Sequence, residues 1–217
     1  MAELIFYTNP QSRGQTVRWM LEEVGVPYQT EILGYGTSMK AEPYLSINPM
    51  GKVPAIVHKG KVVTEVAAIC CYLADAFPEA RLAPPTDERA DYYRWIFFTS
   101  GPVEAAFSNK AAGWEPAPER QAMFGYGNYD LAINALEKAV AGREYIAADY
   151  FTAADLYVGA NINFMLAFDL LEPREAFVEY ARRMTDRDAY RRAKEIDGRL
   201  IAQAQAQQQA AQPQPTS

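Results

Sequence analysis

Apolar positions along the chain change spacing near residue 80, and with it the elements they predict. Glu3-Leu4-Ile5-Phe6-Tyr7 is a short apolar run closed by Thr8-Asn9-Pro10, a strand followed by a loop. From about Arg13 to Val24, the residues Val17, Met20, Leu21 and Val24 recur at spacings of three and four. This is an amphipathic helix, and Gly25 ends it. Tyr28 to Leu33 reads as a second strand with Tyr28, Thr30 and Ile32 on one side. Gly34-Tyr35-Gly36 opens a loop, and Ala41 to Ile47 is a short helix ended by Asn48-Pro49. Pro54 to His58 and Lys61 to Thr64 are two further strands. The turn between them, Lys59-Gly60, is too short for anything but an antiparallel hairpin. Glu65 to Phe77 is a helix with Ala68, Ile69, Tyr72, Leu73 and Ala76 as its buried stripe. The order is β-α-β-α-β-β-α, with parallel pairing expected early and an antiparallel hairpin at the edge.

Beyond Pro78, Pro84 and Pro85 no strand pattern remains. Helical periodicity covers Asp87 to Ala111, Asn128 to Val140, Ala153 to Leu170, Glu175 to Met184 and Ala189 to Ala202. The expected organisation is an α/β domain over residues 1–80, a linker over 81–86, and an all-α helical domain over 87–202. Residues 203–217 are a low-complexity tail of Ala, Gln and Pro. Its Ala/Gln part can extend the last helix, and its Pro-containing end is expected to be disordered.

Composition narrows the class of function. A chain of 217 residues, 49% hydrophobic, has enough apolar surface for a real core. A net charge of −6 argues against a nucleic-acid binder held by bulk charge. No apolar run approaches the roughly 20 residues of a membrane span, and the first ten residues do not have the form of a secretory leader. The two cysteines, Cys70 and Cys71, are neighbours, which makes reduced thiols and a cytoplasmic setting the expectation. With His58 as its one histidine, the chain is not expected to hold a multi-histidine metal site or a histidine-based triad.

Four segments carry candidate chemistry. In Asn48-Pro49-Met50-Gly51-Lys52-Val53-Pro54-Ala55, a proline opens a strand. A cis bond before it would present the backbone of Val53 to an extended peptide, although a trans bond is the common case. In Thr64-Glu65-Val66-Ala67-Ala68-Ile69, Thr64 is a good N-cap. The N–H groups that follow suit a ligand carboxylate, and Glu65 suits a ligand ammonium. Together they would read an amino-acid head group, although an acidic residue in a first helical turn is also ordinary dipole chemistry. In Tyr7-Thr8-Asn9-Pro10-Gln11-Ser12-Arg13-Gly14, a hydroxyl near the helix start could stabilise a thiolate. Ser12 is equally well placed as a plain cap. In Phe151-Thr152-Ala153-Ala154-Asp155, the spacing is that of a capping box and its role is structural.

Taken in order, the βαβαββα module, NPMGKVP, TEVAAI, the Pro-rich linker, the helical domain and FTAAD resemble a cytosolic glutathione transferase of bacterial type. The likeness spans about residues 3–200. It implies a thioredoxin-like first domain that binds glutathione as co-substrate, with no cofactor. Val53 before a cis Pro54 would pair with the cysteinyl backbone, and Glu65 would take the γ-glutamyl ammonium. Val66 stands where the family usually has a hydroxyl, so its backbone N–H alone would serve the γ-glutamyl carboxylate. Lys52 would meet the glycyl carboxylate. The thiolate would be stabilised from the first loop. Ser12 is placed like the serine of theta- and zeta-like members, and Tyr7 like the tyrosine of the mammalian alpha, mu and pi classes. Thr8 and Asn9 are further candidates, and Arg13 could add positive potential. Phe107, Lys110, Trp114, Phe124 and Tyr126 are candidates to line the apolar co-substrate site. The resemblance implies a homodimer, with Glu104 as a possible contact from the partner subunit. The first loop has no cysteine, which disfavours thioredoxin-type exchange. Two other readings stay open: a glutathione-dependent disulfide reductase or peroxidase, and a glutathione-binding scaffold with little turnover.

Overall fold

The computed structural model describes residues 3–211. They form two compact units: one joins the chain up to Tyr72 with the segment from Asp188 onward, and the other is Leu73–Arg187.

The first unit is built on a four-stranded sheet. Its elements are β1 (Leu4–Thr8), α1 (Gly14–Val24), β2 (Gln29–Ile32), α2 (Tyr44–Ile47), β3 (Ala55–His58), β4 (Lys61–Thr64) and the start of α3 (Val66–Ala76). The strand order is β2-β1-β3-β4. β1 and β2 run parallel, and β3 and β4 form the antiparallel hairpin, as their connections predict. β3 is also antiparallel to β1, where the βα units favoured parallel pairing, because the chain leaves β2 and enters β3 at the same end of the sheet, beside Thr8 and Tyr7. Lys59 and Gly60 have φ of 51° and 75°, the left-handed pair of a tight hairpin turn whose twist matches its strands. Gly25 ends α1 at φ 74°, and its N–H returns to the Leu21 carbonyl at 2.9 Å.

α1 buries more than its apolar stripe predicts. Val17, Met20 and Leu21 are buried, but so are Thr16, Arg18 and Trp19. The reason is α9 (Asp188–Ala211), which lies along α1. Trp19 meets Tyr190 edge to face at 5.0 Å, and Arg18 Nε donates to Asp197 Oδ1 at 3.2 Å. The last helix therefore belongs to the same unit as the sheet. It continues through Ala211, so the Ala/Gln part of the low-complexity tail extends the last helix, in keeping with the high helix propensity of Ala and Gln. The Pro-containing residues 212–217 lie outside the described residues.

The start of α3 also corrects the sequence reading. Thr64 is the last residue of β4 and not the N-cap. Glu65 occupies the cap position, where its carbonyl accepts from the Ile69 N–H at 2.9 Å. The buried face of α3 includes Ala67, Ile69, Cys70 and Leu73, whereas Ala68 faces solvent.

In the second unit, α4 (Ala90–Phe98) and α5 (Glu104–Ala111) interrupt what periodicity predicted as one helix. Between them Thr99–Val103 widens into a π-helical turn that contains Pro102. Proline supplies no N–H and its ring clashes with the preceding turn, which accounts for the break. α6 (Tyr129–Val140) is capped by Asn128, whose Oδ1 accepts from the Leu131 N–H. α7 (Ala153–Ala167) starts in the expected capping box and packs against α4 and α8 (Glu175–Thr185). Gly159 allows the close approach of α8, since a Cβ there would fall 2.7 Å from the Met184 Cβ. Among the described residues no helix is long and apolar enough to cross a membrane, and no group of three His, Cys, Asp or Glu residues could hold a metal ion.

Candidate active site

Three segments leave the same edge of the sheet side by side. Ala55 pairs with Tyr7 on one flank and with Thr64 on the other. The loop after β1, the Val53-Pro54 entry to β3, and the turn from β4 into α3 therefore form a row. With neighbouring strands about 4.8 Å apart, that row spans roughly 10 Å.

The first loop is held mainly by its own polar groups. Asn9 Nδ2 donates to the Leu33 carbonyl at 2.8 Å, and Asn9 Oδ1 accepts from the Gln11 N–H at 3.0 Å. The Ser12 hydroxyl donates to the Asn9 carbonyl at 2.6 Å and accepts from the Gly14 N–H at 2.9 Å. Gln15 reaches back from α1 to donate to the Pro10 carbonyl at 2.7 Å. Thr8 is buried, and its hydroxyl lies against Gly14: a Cβ at position 14 would come within 2.0 Å of Thr8 Oγ1. Arg13, half-buried, occupies the N-cap of α1. Tyr7 turns to the other face of β1, where it packs with Val53 on Leu33, Met39 and Tyr44. Its ring lies 5.5 Å from that of Tyr44. Burial, reinforced by Glu31, pushes the Tyr7 phenol above its ordinary range.

The second segment is a turn organised by residues that sequence reasoning passed over. Asn48 is buried, and its Nδ2 donates to the Lys52 carbonyl at 2.8 Å while its Oδ1 accepts from the Met50 N–H at 3.1 Å. The Tyr44 hydroxyl donates to the same Lys52 carbonyl. Gly51 has φ 55°, and a Cβ there would meet the Met39 carbonyl at 2.7 Å, so only glycine fits. This leaves the Lys52 side chain exposed and Val53 ahead of the first ladder pair of β3. The Val53–Pro54 bond is cis, as the resemblance implied, and so is Glu42–Pro43, which no reading anticipated. The signal for Asn48 was present in the sequence: an Asn-Pro pair three residues before a glycine that turns left-handed.

At the third segment Glu65 has φ 65°. A bulky L-residue held there costs on the order of 1–3 kcal/mol, a strain that clusters at functional sites. Its side chain is exposed. The N–H groups of Val66, Ala67 and Ala68 precede the first intrahelical bond of α3 and face out of the helix end, where they suit an anion. Further along α3, burial pushes the Cys70 thiol well above its ordinary range, so it stays protonated and unreactive.

The aromatic candidates of the second unit separate into two groups. Trp114 meets Phe124 edge to face at 5.2 Å, and Phe124 meets Tyr126 at 6.2 Å. Asn109 donates to the Tyr126 hydroxyl at 2.9 Å, and Trp114 is 44% exposed at the open end of this row. Phe107 is buried elsewhere, against Phe164. Lys110 lies over the Tyr129 ring at 3.6 Å.

Similarity to known proteins agrees with this layout. The family model for the glutathione S-transferase N-terminal domain matches residues 12–76. Glutathione S-transferase U4 of Arabidopsis thaliana is 31% identical over an alignment of 191 residues that covers 82% of this chain and 79% of that protein. Glutathione S-transferase GstA of Escherichia coli O157:H7 is 26% identical over an alignment of 162 residues that covers 72% of this chain and 79% of that protein. The crystal structure of a glutathione transferase from Methylococcus capsulatus superposes with a TM-score of 0.74 at 25% identity, covering 90% of this chain and 98% of that one. The match to the plant enzyme runs through both units, well beyond the thioredoxin-like module alone, and on that basis the chain belongs to the glutathione S-transferase family.

Proposed function

We propose that the chain binds glutathione along the sheet edge, holds its thiol as the thiolate, and adds it to electrophilic, largely apolar small molecules. The observation that carries this is the row set by the Tyr7–Ala55–Thr64 pairing. Each segment of that row suits one part of the tripeptide: the turn into α3 its γ-glutamyl group, the Val53-Pro54 entry its cysteinyl backbone, and the first loop its thiol. Glu65 takes the γ-glutamyl ammonium, and the backbone N–H of Val66 with its neighbours takes the carboxylate. Val53 pairs with the cysteinyl backbone, and Lys52 meets the glycyl carboxylate. The cysteinyl sulfur then points to the β1–α1 loop.

Within that loop Ser12 is the proposed activator, which would make the chain a serine-type member. Its single hydroxyl proton rests on the Asn9 carbonyl. Stabilising a thiolate requires that proton to turn from Asn9 to the sulfur, while the Gly14 N–H bond keeps the oxygen in place. Asn9 and Thr8 shape the same loop, and Arg13 adds positive charge at the helix start. Tyr7 is the weaker choice, because its ring is committed to the Tyr44 cluster. A thiol of pKa near 8.5 becomes mostly thiolate at neutral pH once lowered by about two units. The thiolate forms a carbon–sulfur bond with the electrophile, and the leaving group departs with the displaced electron pair. Trp114 and Tyr126 of the second unit are the candidates to hold the apolar electrophile, whereas Phe107 packs apart from them against Phe164. Tyr93 and Phe97, exposed one helical turn apart on α4, suit a subunit contact in a homodimer.

Ultraviolet thiolate absorbance during a glutathione titration tests this. Wild type should bind glutathione and show thiolate at neutral pH, and Ser12→Ala should raise the thiol pKa. Glu65→Gln should weaken binding about ten- to a hundredfold, the value of a charge-assisted hydrogen bond. Binding without ionisation would favour the scaffold reading, and turnover confined to disulfides or peroxides the reductase reading.

A further inference from the structure

Behind the first loop runs a hydrogen-bonded chain that ends on the last helix. Gln15, in the first turn of α1, donates through Nε2 to the Pro10 carbonyl at 2.7 Å. Its Oε1 accepts from Lys194 Nζ of α9 at 3.0 Å. Pro10 lies between Asn9 and Ser12, the residues whose mutual hydrogen bonds shape the loop. One side chain therefore braces the loop from behind.

An amide is suited to this position. It carries an acceptor at one end and donors at the other, so it satisfies a cation and a carbonyl at once. A carboxylate would keep Lys194 but set its lone pairs against the Pro10 carbonyl. α9 is held in register by a second contact of the same spacing. Lys194 and Asp197 stand three apart on α9, and they meet Gln15 and Arg18, three apart on α1. The Arg18–Asp197 pair is buried on both sides. Arg18 also donates to Thr30 Oγ1 at 2.7 Å and to the Tyr28 hydroxyl at 3.1 Å, and Arg192 pairs with Glu22 at 3.2 Å. The brace on Gln15 thus stands on a rigid base.

We propose that Gln15 is a positioning residue for the transferase reaction, supported by α9 through Lys194, so that the end of the chain fixes the geometry in which the first loop receives the thiolate. The inference rests on the reading of that loop as the thiolate site. Preorganised donors lose their effect when they shift by fractions of an ångström, so a loosened loop weakens thiolate stabilisation before it weakens binding.

The experiment is the pH profile of kcat/KM with glutathione and a chromogenic aryl halide, on the full chain. The variants are Gln15→Leu, Gln15→Glu and Lys194→Met, each with its glutathione Kd and Tm. Gln15→Leu should lower kcat/KM five- to tenfold, about one hydrogen bond's worth. It should also move the acid limb of the profile upward by about half a pH unit or more, with the Kd within twofold of wild type. Gln15→Glu should behave like Leu despite keeping its contact to Lys194. Lys194→Met, on an exposed residue that folding tolerates, should give a smaller shift of the same sign. Lowered Tm with an unmoved acid limb would reduce Gln15 to a structural residue and overturn the proposal. A wild type that forms no thiolate overturns the site reading and this inference together. A wild type that forms it, with unmoved limbs in the variants, overturns this inference alone.

Discussion

Single residues show where function opposes stability. Glu65 sits at φ 65°, a conformation that glycine adopts without steric cost. An L-residue loses about 1–2 kcal/mol there, and glycine gives back roughly 0.5–1 kcal/mol through its greater unfolded-state freedom. Glu65→Gly should therefore raise unfolding stability slightly, by roughly 0–1.5 kcal/mol, while glutathione affinity falls with the lost carboxylate. Urea midpoints and a glutathione titration on one protein preparation check both halves. A destabilised variant would mean that the left-handed backbone carries no strain. The residue type at 65 was legible in the sequence as an acidic group at a helix start. Its backbone was not, because nothing in the neighbouring residues marks a non-glycine position as left-handed. Ser12 shows the opposite limit. The sequence places a hydroxyl in the loop, but only geometry reveals that its proton is already given to the Asn9 carbonyl.

At the scale of elements, local pattern predicted most of the fold. The hairpin at Lys59-Gly60, the Gly25 stop and the Thr152–Asp155 capping box follow from chemistry confined to a few residues, and each formed as read. What escaped was burial imposed by a distant element. Arg18 is polar in any periodicity argument, yet α9 covers it and supplies Asp197. That pairing has a pH signature. Burial lifts the Asp197 carboxyl above its ordinary range even though Arg18 pulls it down. The folded state then keeps a proton that the unfolded chain, at about pKa 3.9, has released. Stability from this group is full below about pH 3.9 and is lost as pH rises through the higher native value. Asp197→Asn cannot titrate. The wild-type advantage over it should therefore shrink as pH rises above the unfolded-chain value of about 3.9, measured by urea unfolding at each pH. Parallel pH profiles for the two proteins would contradict the assignment.

For the whole molecule, sequence order and spatial order part company. The helical half reads as one domain to residue 202, whereas its last helix packs on α1 and belongs to the first unit. The sequence carries no local sign of this, because α9 has an ordinary amphipathic pattern and its partner surface lies some 170 residues away. The consequence is that the thioredoxin-like module should not stand alone as residues 1–80. Ending the chain at Arg187 removes Asp197 and leaves the Arg18 charge among Phe6 and Tyr28 without its carboxylate. Breaking a buried ion pair from one side typically costs about 3–5 kcal/mol. The loss of Tyr190 from Trp19 adds apolar exposure to that cost. A chain ended at Ala202 keeps Tyr190, Arg192, Lys194 and Asp197, and the residues removed with described side chains are exposed. The two truncations should therefore diverge: ending at Ala202 should leave Tm and glutathione binding at wild-type values, and ending at Arg187 should lower both steeply. Adding a peptide of residues 188–211 to the shorter chain should restore binding in a saturable way, because the docking surface on α1 is made by the first unit. Equal stability of the two truncated chains would show that α9 is dispensable and that the module ends where the sequence pattern changes.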